Sequence, residues 1–278
     1  KRACYHCVSR VVDRHFRLGD QEKEKFRRIM RLCERFCGVR ILTYALMGNH
    51  YHLLVEVAPV DDLPDGELIA LIKYVYGAER AKQLENTLKD CRRQGDEKGL
   101  QAVKQQYIYR MGDISEFMKM LLQRFTQWYN TKYGRKGTLW EERFRSVLVQ
   151  DDRRARVTMA AYIDLNAIRA GIADHPEHYR WCGYAEAVAG SLRARQGIGI
   201  ILGNDEQRCV PWAEAQRRYR KHLYLTGEQK DVPGARRGFQ RDQVQKVMDE
   251  DGKLTMKQLM YCWVRYFTDG GVMGTKEF

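Results

Sequence analysis

VRILTYALMGNHYHLLVEV, residues 39–57, holds two strand-like runs with only Gly48-Asn49 between them. Residues 39–47 and 50–57 are rich in β-branched, aromatic and aliphatic types, and a Gly-Asn pair joining such runs is a hairpin signal. On an extended strand, residues two apart share a face. His50 and His52 therefore present two imidazoles side by side. Tyr51 turns the other way, toward the core, and the run Leu53 to Val57, broken only by Glu56, anchors the strand.

Working toward the N-terminus, residues 20–37 carry an apolar stripe at helical spacing, formed by Phe26, Ile29, Met30, Cys33 and Cys37. Asp20 is placed to cap this helix and Gly38 to end it. Residues 4–12 read as a further strand. Toward the C-terminus, residues 58–111 break the pattern. A loop, Asp61-Asp62-Leu63-Pro64-Asp65-Gly66, precedes two charged helical stretches, 67–90 and 97–110, which together read as an insertion. Residues 113–133 then form a strong helix, with Asp113 or Ser115 as cap and a buried face that includes Phe117, Leu121, Phe125 and Tyr129. A strand over 143–150 and a helix over 152–170 follow.

Leaving out the insertion and the last helix, the order is β-α-β-β-α-β. The expected class is α+β: a ferredoxin-like (RRM-like) antiparallel sheet with helices on one face, the other face open to a ligand, a helical insertion and a helical C-terminal extension. The expected organisation is a domain over 1–175, interrupted at about 58–111, and a mostly helical region over 176–278. Beyond Gly171 the periodicity weakens. Helices are expected at 212–225 and 239–268, with a helix-turn-helix-like pair within 254–278.

Composition narrows the partner. The chain has 278 residues, 44% hydrophobic and 31% charged, with a net charge of +13. A basic surplus of this size favours a polyanion, because basic side chains release counterions from phosphates. No apolar run reaches the ~18–20 residues of a membrane span, and the first residues have no signal-peptide core. The expected location is cytoplasmic, in association with the nucleoid. The eight cysteines are scattered, which suits reduced core thiols better than a disulfide framework or a four-cysteine zinc site.

Three features carry chemistry. Two neutral imidazoles at His50 and His52 are good ligands for a divalent metal, against the plainer reading of two ordinary strand histidines. Tyr162 and Asn166 lie one helical turn apart and share a face, whereas Asp164 faces elsewhere. The segment 132–145 is basic, aromatic and glycine-containing, with Arg135, Lys136, Arg143 and Arg145 available to phosphates. Farther on, Arg217-Arg218-Tyr219-Arg220-Lys221 and Arg236-Arg237 are either further DNA contacts or a solvated helix face.

Taken together, the words Met47-Gly48-Asn49-His50-Tyr51-His52-Leu53-Leu54-Val55, Gly137-Thr138-Leu139-Trp140-Glu141-Glu142-Arg143-Phe144 and Tyr162-Ile163-Asp164-Leu165-Asn166-Ala167-Ile168-Arg169-Ala170-Gly171 resemble the HUH endonucleases. Within them the sequence is similar to the REP-associated tyrosine transposases, over residues 4–57 and 112–175. The resemblance implies that His50, His52 and Asn166 hold Mg²⁺ or Mn²⁺. It implies that Tyr162 is the nucleophile, and that single-stranded DNA with a REP-like hairpin is nicked and rejoined through a 5′-phosphotyrosine. Gly48, Tyr51 and Ala167 depart from the family's usual residues without removing a reacting group. Two other readings stay open: a non-catalytic nucleic-acid-binding module on an RRM-like sheet, and a metal-dependent nuclease that activates water. A monomer and a homodimer are both compatible with the sequence.

Overall fold

The computed structural model describes residues 2–60, 63–203, 210–230 and 233–268. The first half runs β1 (Ala3–Arg10), α1 (Asp20–Cys37), β2 (Arg40–Leu46), β3 (His50–Val57), then α2 (Asp65–Tyr76), α3 (Ala78–Gln94) and α4 (Glu97–Ile108). It continues with α5 (Ile114–Tyr133), β4 (Arg145–Val149), α6 (Arg153–Asp164) and α7 (Asn166–Arg169). The C-terminal part adds α8 (Gly183–Val188), α9 (Leu192–Ile201), α10 (Trp212–Thr226), α11 (Arg241–Asp249) and α12 (Met256–Thr268). The fold is α+β, with one four-stranded sheet in the order β2-β3-β1-β4. That order is the ferredoxin-like one and sets β1 beside β3. β4 pairs antiparallel with β1, with His6 opposite Val147 and Val8 opposite Arg145.

Several elements differ from the sequence expectation. The stretch 67–90 is two helices, because Gly77 adopts φ +92° between α2 and α3. The expected loop ends earlier, since Asp65 and Gly66 already belong to α2, and Asp61 and Asp62 lie outside the described residues. The stretch 239–268 is likewise two helices, α11 and α12, parted at Gly252 (φ +69°). Within 254–278, α12 is the one helix among the described residues, and 269–278 lie outside them. Asp113 rather than Ser115 caps α5, its carboxylate accepting from the Glu116 amide at 2.8 Å.

By contact density the chain divides into two compact units whose boundaries cut across the sequence order. One comprises residues 1–3, 25–40 and 56–137. Its interior joins α1 to α5 through the Phe26–Phe125 ring pair (5.1 Å between centroids) and the Cys37–Met120 sulfur contact (4.0 Å). The insertion is braced by Arg92 of α3 on Asp65 of α2 at 2.7 Å.

The other unit comprises residues 4–24, 41–55 and 138–278. Here the C-terminal chain adds to the outer edge of β2. The Leu46 amide donates to the Trp181 carbonyl at 2.9 Å, and Ala45 bridges Cys182. An edge strand with unmet backbone groups is thereby covered. Close approach explains two glycines: a Cβ at Gly183 would meet Thr43, and one at Gly197 would meet the Leu42 backbone. Small residues let α8 and α9 press against β2.

Asp164 sits at the centre of this contact, fully buried. It accepts from the Thr43 hydroxyl at 2.8 Å, the Tyr219 hydroxyl at 2.7 Å and the Tyr184 amide at 3.3 Å. Burial outweighs these hydrogen bonds and raises its carboxyl from 3.8 to about 6. A carboxyl whose folded pKa exceeds its unfolded one stabilises the fold fully below the unfolded value and loses that contribution as pH rises through the folded value. The melting-temperature advantage of wild type over Asp164→Asn is therefore expected to shrink between pH 4 and pH 7. A pH-independent difference between the two melting curves would contradict this.

The cysteines are mostly core thiols. Cys4, Cys7, Cys33, Cys37, Cys182 and Cys262 are buried, Cys91 is partly exposed, and Cys209 lies outside the described residues. Burial pushes the thiols of Cys7, Cys33 and Cys37 up to about 12, which keeps them protonated.

Candidate active site

The site is built from β3, its neighbour β1 and the end of α6. His50 opens β3 directly after the Gly48-Asn49 turn, and the turn closes through the Met47 amide on the His50 carbonyl at 2.8 Å. Alternation then places His52 beside it, with 5.2 Å between ring centroids and the rings nearly perpendicular. Tyr51, fully buried, points away and packs edge-on against Trp140 at 5.4 Å.

Tyr162 comes from the last turn of α6. Its ring centroid lies 5.7 Å from that of His52, in an edge-to-face contact. The structure thus brings the expected phenol and imidazoles together within one chain. Asn166 follows at the start of α7, and its Nδ2 donates to the carbonyls of Tyr162 (2.9 Å) and Ile163 (3.2 Å). Two carbonyls accept only from an N–H, so the amide orientation is fixed and Oδ1 is directed away from the helix end.

Two further side chains, which no sequence pattern singles out, lie at the site. His6 of β1 meets His52 edge to edge, with centroids 5.2 Å apart, planes inclined by 16°, and its Nε2 at 2.9 Å from His52 Nδ1. It also meets the Tyr162 ring edge-on at 6.0 Å. Nothing in the sequence marks a lone strand histidine; the signal is the strand order, which sets β1 beside β3. The second is Arg10, at the end of the same strand. Burial is the main cause that lowers the His50 imidazole to about 4, and the Arg10 charge adds to it. Burial likewise leads for His52, lowered to about 3, with His50, His6 and Arg10 contributing. Both rings are neutral at physiological pH and hold a lone pair.

These donors fit a divalent cation. His50 Nδ1 is engaged by Asn49 Oδ1 at 2.7 Å, His52 Nδ1 by His6, and Asn166 Nδ2 by the helix end. Each side chain is tied at one atom, which leaves His50 Nε2, His52 Nε2 and Asn166 Oδ1 as the atoms available to a cation. Among the described residues no group of three or more His, Cys, Asp or Glu side chains is arranged to hold a metal. The expected set has two such residues and an amide, so it falls outside that pattern.

The basic residues distribute unevenly. Arg143 and Arg145 line a surface pocket with Arg10, Arg14, Glu141 and Glu142. Arg145 pairs with Glu142 at 3.0 Å and Arg14 with Glu141 at 3.7 Å, while Arg10 and Arg143 have no carboxylate partner among the described residues. Arg135 and Lys136 belong to the other unit. Arg135 lies over the Tyr129 ring at 5.8 Å, and Lys136 is exposed. Arg169 lies over the Tyr162 ring at 5.3 Å, and the Arg236 charge helps burial lower its pKa.

The run 217–221 is not a free basic surface. Tyr219 and Arg220 are buried, and Arg220 pairs with Glu177 at 3.3 Å. Arg217 and Lys221 pair with Asp251, and Arg218 pairs with Glu214.

The site is thus a pair of neighbouring imidazoles on one strand with a helix-borne phenol beside them. Residues 1–95, which carry His6, His50 and His52, match the family model described as Transposase IS200 like. A solved structure, that of a REP-associated tyrosine transposase bound to a REP hairpin, is similar over 68% of this chain and 80% of that one, with a TM-score of 0.43 and 13% identity. No curated protein matches the chain. Among the described residues no helix is long and apolar enough to cross a membrane.

Proposed function

We propose that this chain is a transposase-type enzyme that nicks and rejoins single-stranded DNA at hairpin-bearing repeats, with Tyr162 as nucleophile. The observation that carries the reading is the Tyr162 ring against His52, which is itself flanked by His50. The match of residues 1–95 to IS200-like transposases supports it independently.

His50, His52 and Asn166 would hold Mg²⁺ or Mn²⁺, which when bound supplies Lewis-acid stabilisation of charge on the scissile phosphate. The Tyr162 hydroxyl gives up its proton to solvent as its oxygen attacks phosphorus, the bond to the departing 3′ oxygen breaks, and that oxygen takes a proton from solvent to become the 3′-hydroxyl. The 5′-phosphotyrosine retains the phosphoester, so a second 3′-hydroxyl can attack it and release the phenol without ATP. Arg169 places a cation over the face of the Tyr162 ring.

Arg143 and Arg145, with Arg10, supply a phosphate grip on the same unit, and Arg135 and Lys136 a grip on the other. Truncating Arg143 and Arg145 to Ala together is expected to make the dependence of log K on log salt shallower by about 1–2. Fluorescence anisotropy titrations at several salt concentrations check this; an unchanged slope would remove these residues from the interface.

The reading is tested by incubating the protein with Mn²⁺ and a labelled DNA hairpin that carries a single-stranded extension. A protein–DNA band that survives denaturing electrophoresis is expected. Free cleaved DNA without that band would instead point to a water nucleophile.

A further inference from the structure

His6 lies outside the expected ligand set, yet it makes the shortest polar contact to any of the ligands' ring nitrogens from another strand: 2.9 Å from its Nε2 to His52 Nδ1. Only one proton can occupy that bond. If His6 Nε2 carries it, His52 Nδ1 is the acceptor and the His52 proton sits on Nε2, which then cannot ligate a metal. If His52 Nδ1 carries it, His52 Nε2 presents its lone pair. Metal binding therefore requires His6 to accept.

The backbone enforces the pairing. β1 and β3 are neighbours in the sheet, and both side chains are nearly buried, at 8% and 7% exposure, so solvent offers His52 Nδ1 little alternative partner. The two ring planes are inclined by only 16°, so the hydrogen bond lies near both planes and also fixes the ring orientation. Asn49 plays the matching part for His50, accepting from Nδ1 at 2.7 Å.

We infer that His6 is a positioning residue that sets the tautomer and orientation of His52 and so completes the metal site. The inference rests on the function proposed above. A partner on the second ring nitrogen of a ligating histidine is commonly worth about 10–100-fold in metal affinity.

The test compares Mn²⁺ affinity, read from the electron paramagnetic resonance signal of free Mn²⁺, for wild type, His6→Phe, His6→Gln and the site control His50→Ala. His6→Phe keeps a flat aromatic ring on the strand and loses the acceptor; His6→Gln restores an acceptor. The expected result is about 10–100-fold weaker binding for His6→Phe and affinity within a few-fold of wild type for His6→Gln. Equal affinities for wild type and His6→Phe, or no rescue by His6→Gln, would overturn the assignment.

A second measurement does not depend on how the variants fold. Side-chain nitrogen NMR of metal-free wild type should find the His52 proton on Nδ1, and finding it on Nε2 would overturn the inference. Wild-type Mn²⁺ binding that His50→Ala leaves untouched would instead sink the metal reading itself, and with it the role of His6.

Discussion

Tyr162→Phe is expected to abolish covalent capture of DNA and to reduce strand cleavage by at least about 10³-fold, the scale on which removal of a nucleophile acts. The substitution removes one oxygen and leaves the ring. Its packing against His52 and His6, and the Arg169 guanidinium above it, survive. Tyr162 is only half-buried, so stability should change little. Hairpin affinity should also hold, because the residues proposed to contact phosphate, Arg135, Lys136, Arg143 and Arg145, are unchanged. Retained cutting in this variant, with no adduct in wild type, would favour activated water over a tyrosine nucleophile.

His50→Ala is the second large effect. The ring is half-exposed at the head of β3, so its loss creates little cavity, and its Asn49 partner lies at the surface of a turn. Loss of one of the two imidazoles proposed as ligands should remove Mn²⁺ binding in the micromolar-to-millimolar range. Cleavage should fall on the order of 10²–10³-fold, the equivalent of several kcal/mol of charge stabilisation. His52→Ala should match it or exceed it, because His52 also carries the contacts to His6 and Tyr162. The two measurements are metal titration and single-turnover cleavage. Unaltered cleavage in both variants would exclude a role for the histidine pair in chemistry.

Much of the fold could be read in the sequence where local chemistry and tertiary packing agree. Asp20–Cys37 has both a starting carboxylate and an uninterrupted apolar stripe, and the expected helix has those bounds. The β2–β3 hairpin was visible because Gly48-Asn49 separates two long apolar runs. α8 and α9 were not visible. Their sequences are alanine- and glycine-rich, with Gly197 and Gly199 inside a helix, where glycine costs about 1 kcal/mol relative to alanine. Gly197 is there because the Leu42 backbone leaves no room for a Cβ. Local propensity was given up for a close contact whose other half lies more than a hundred residues away.

The same distinction separates the parts of the candidate site. His50 with His52, and Tyr162 with Asn166, are pairs whose shared face follows from the period of one element. His6 and Arg10 join them only through the order of strands in the sheet, and a histidine alone on a strand has no sequence partner to reveal it. The basic run 217–221 shows the reverse error. Its charge is evident in the sequence, but its carboxylate partners, Glu177 and Asp251, are 43 and 30 residues from Arg220 and Lys221 respectively (220 − 177 and 251 − 221).

The most direct measurement digests the trapped protein–DNA species and maps the nucleotide-bearing residue by mass spectrometry. The predicted result is one modified peptide spanning 157–169, with the phosphodiester on Tyr162. A nucleotide on any other of the chain's 16 tyrosines, or efficient cutting with every tyrosine unmodified, would contradict the account.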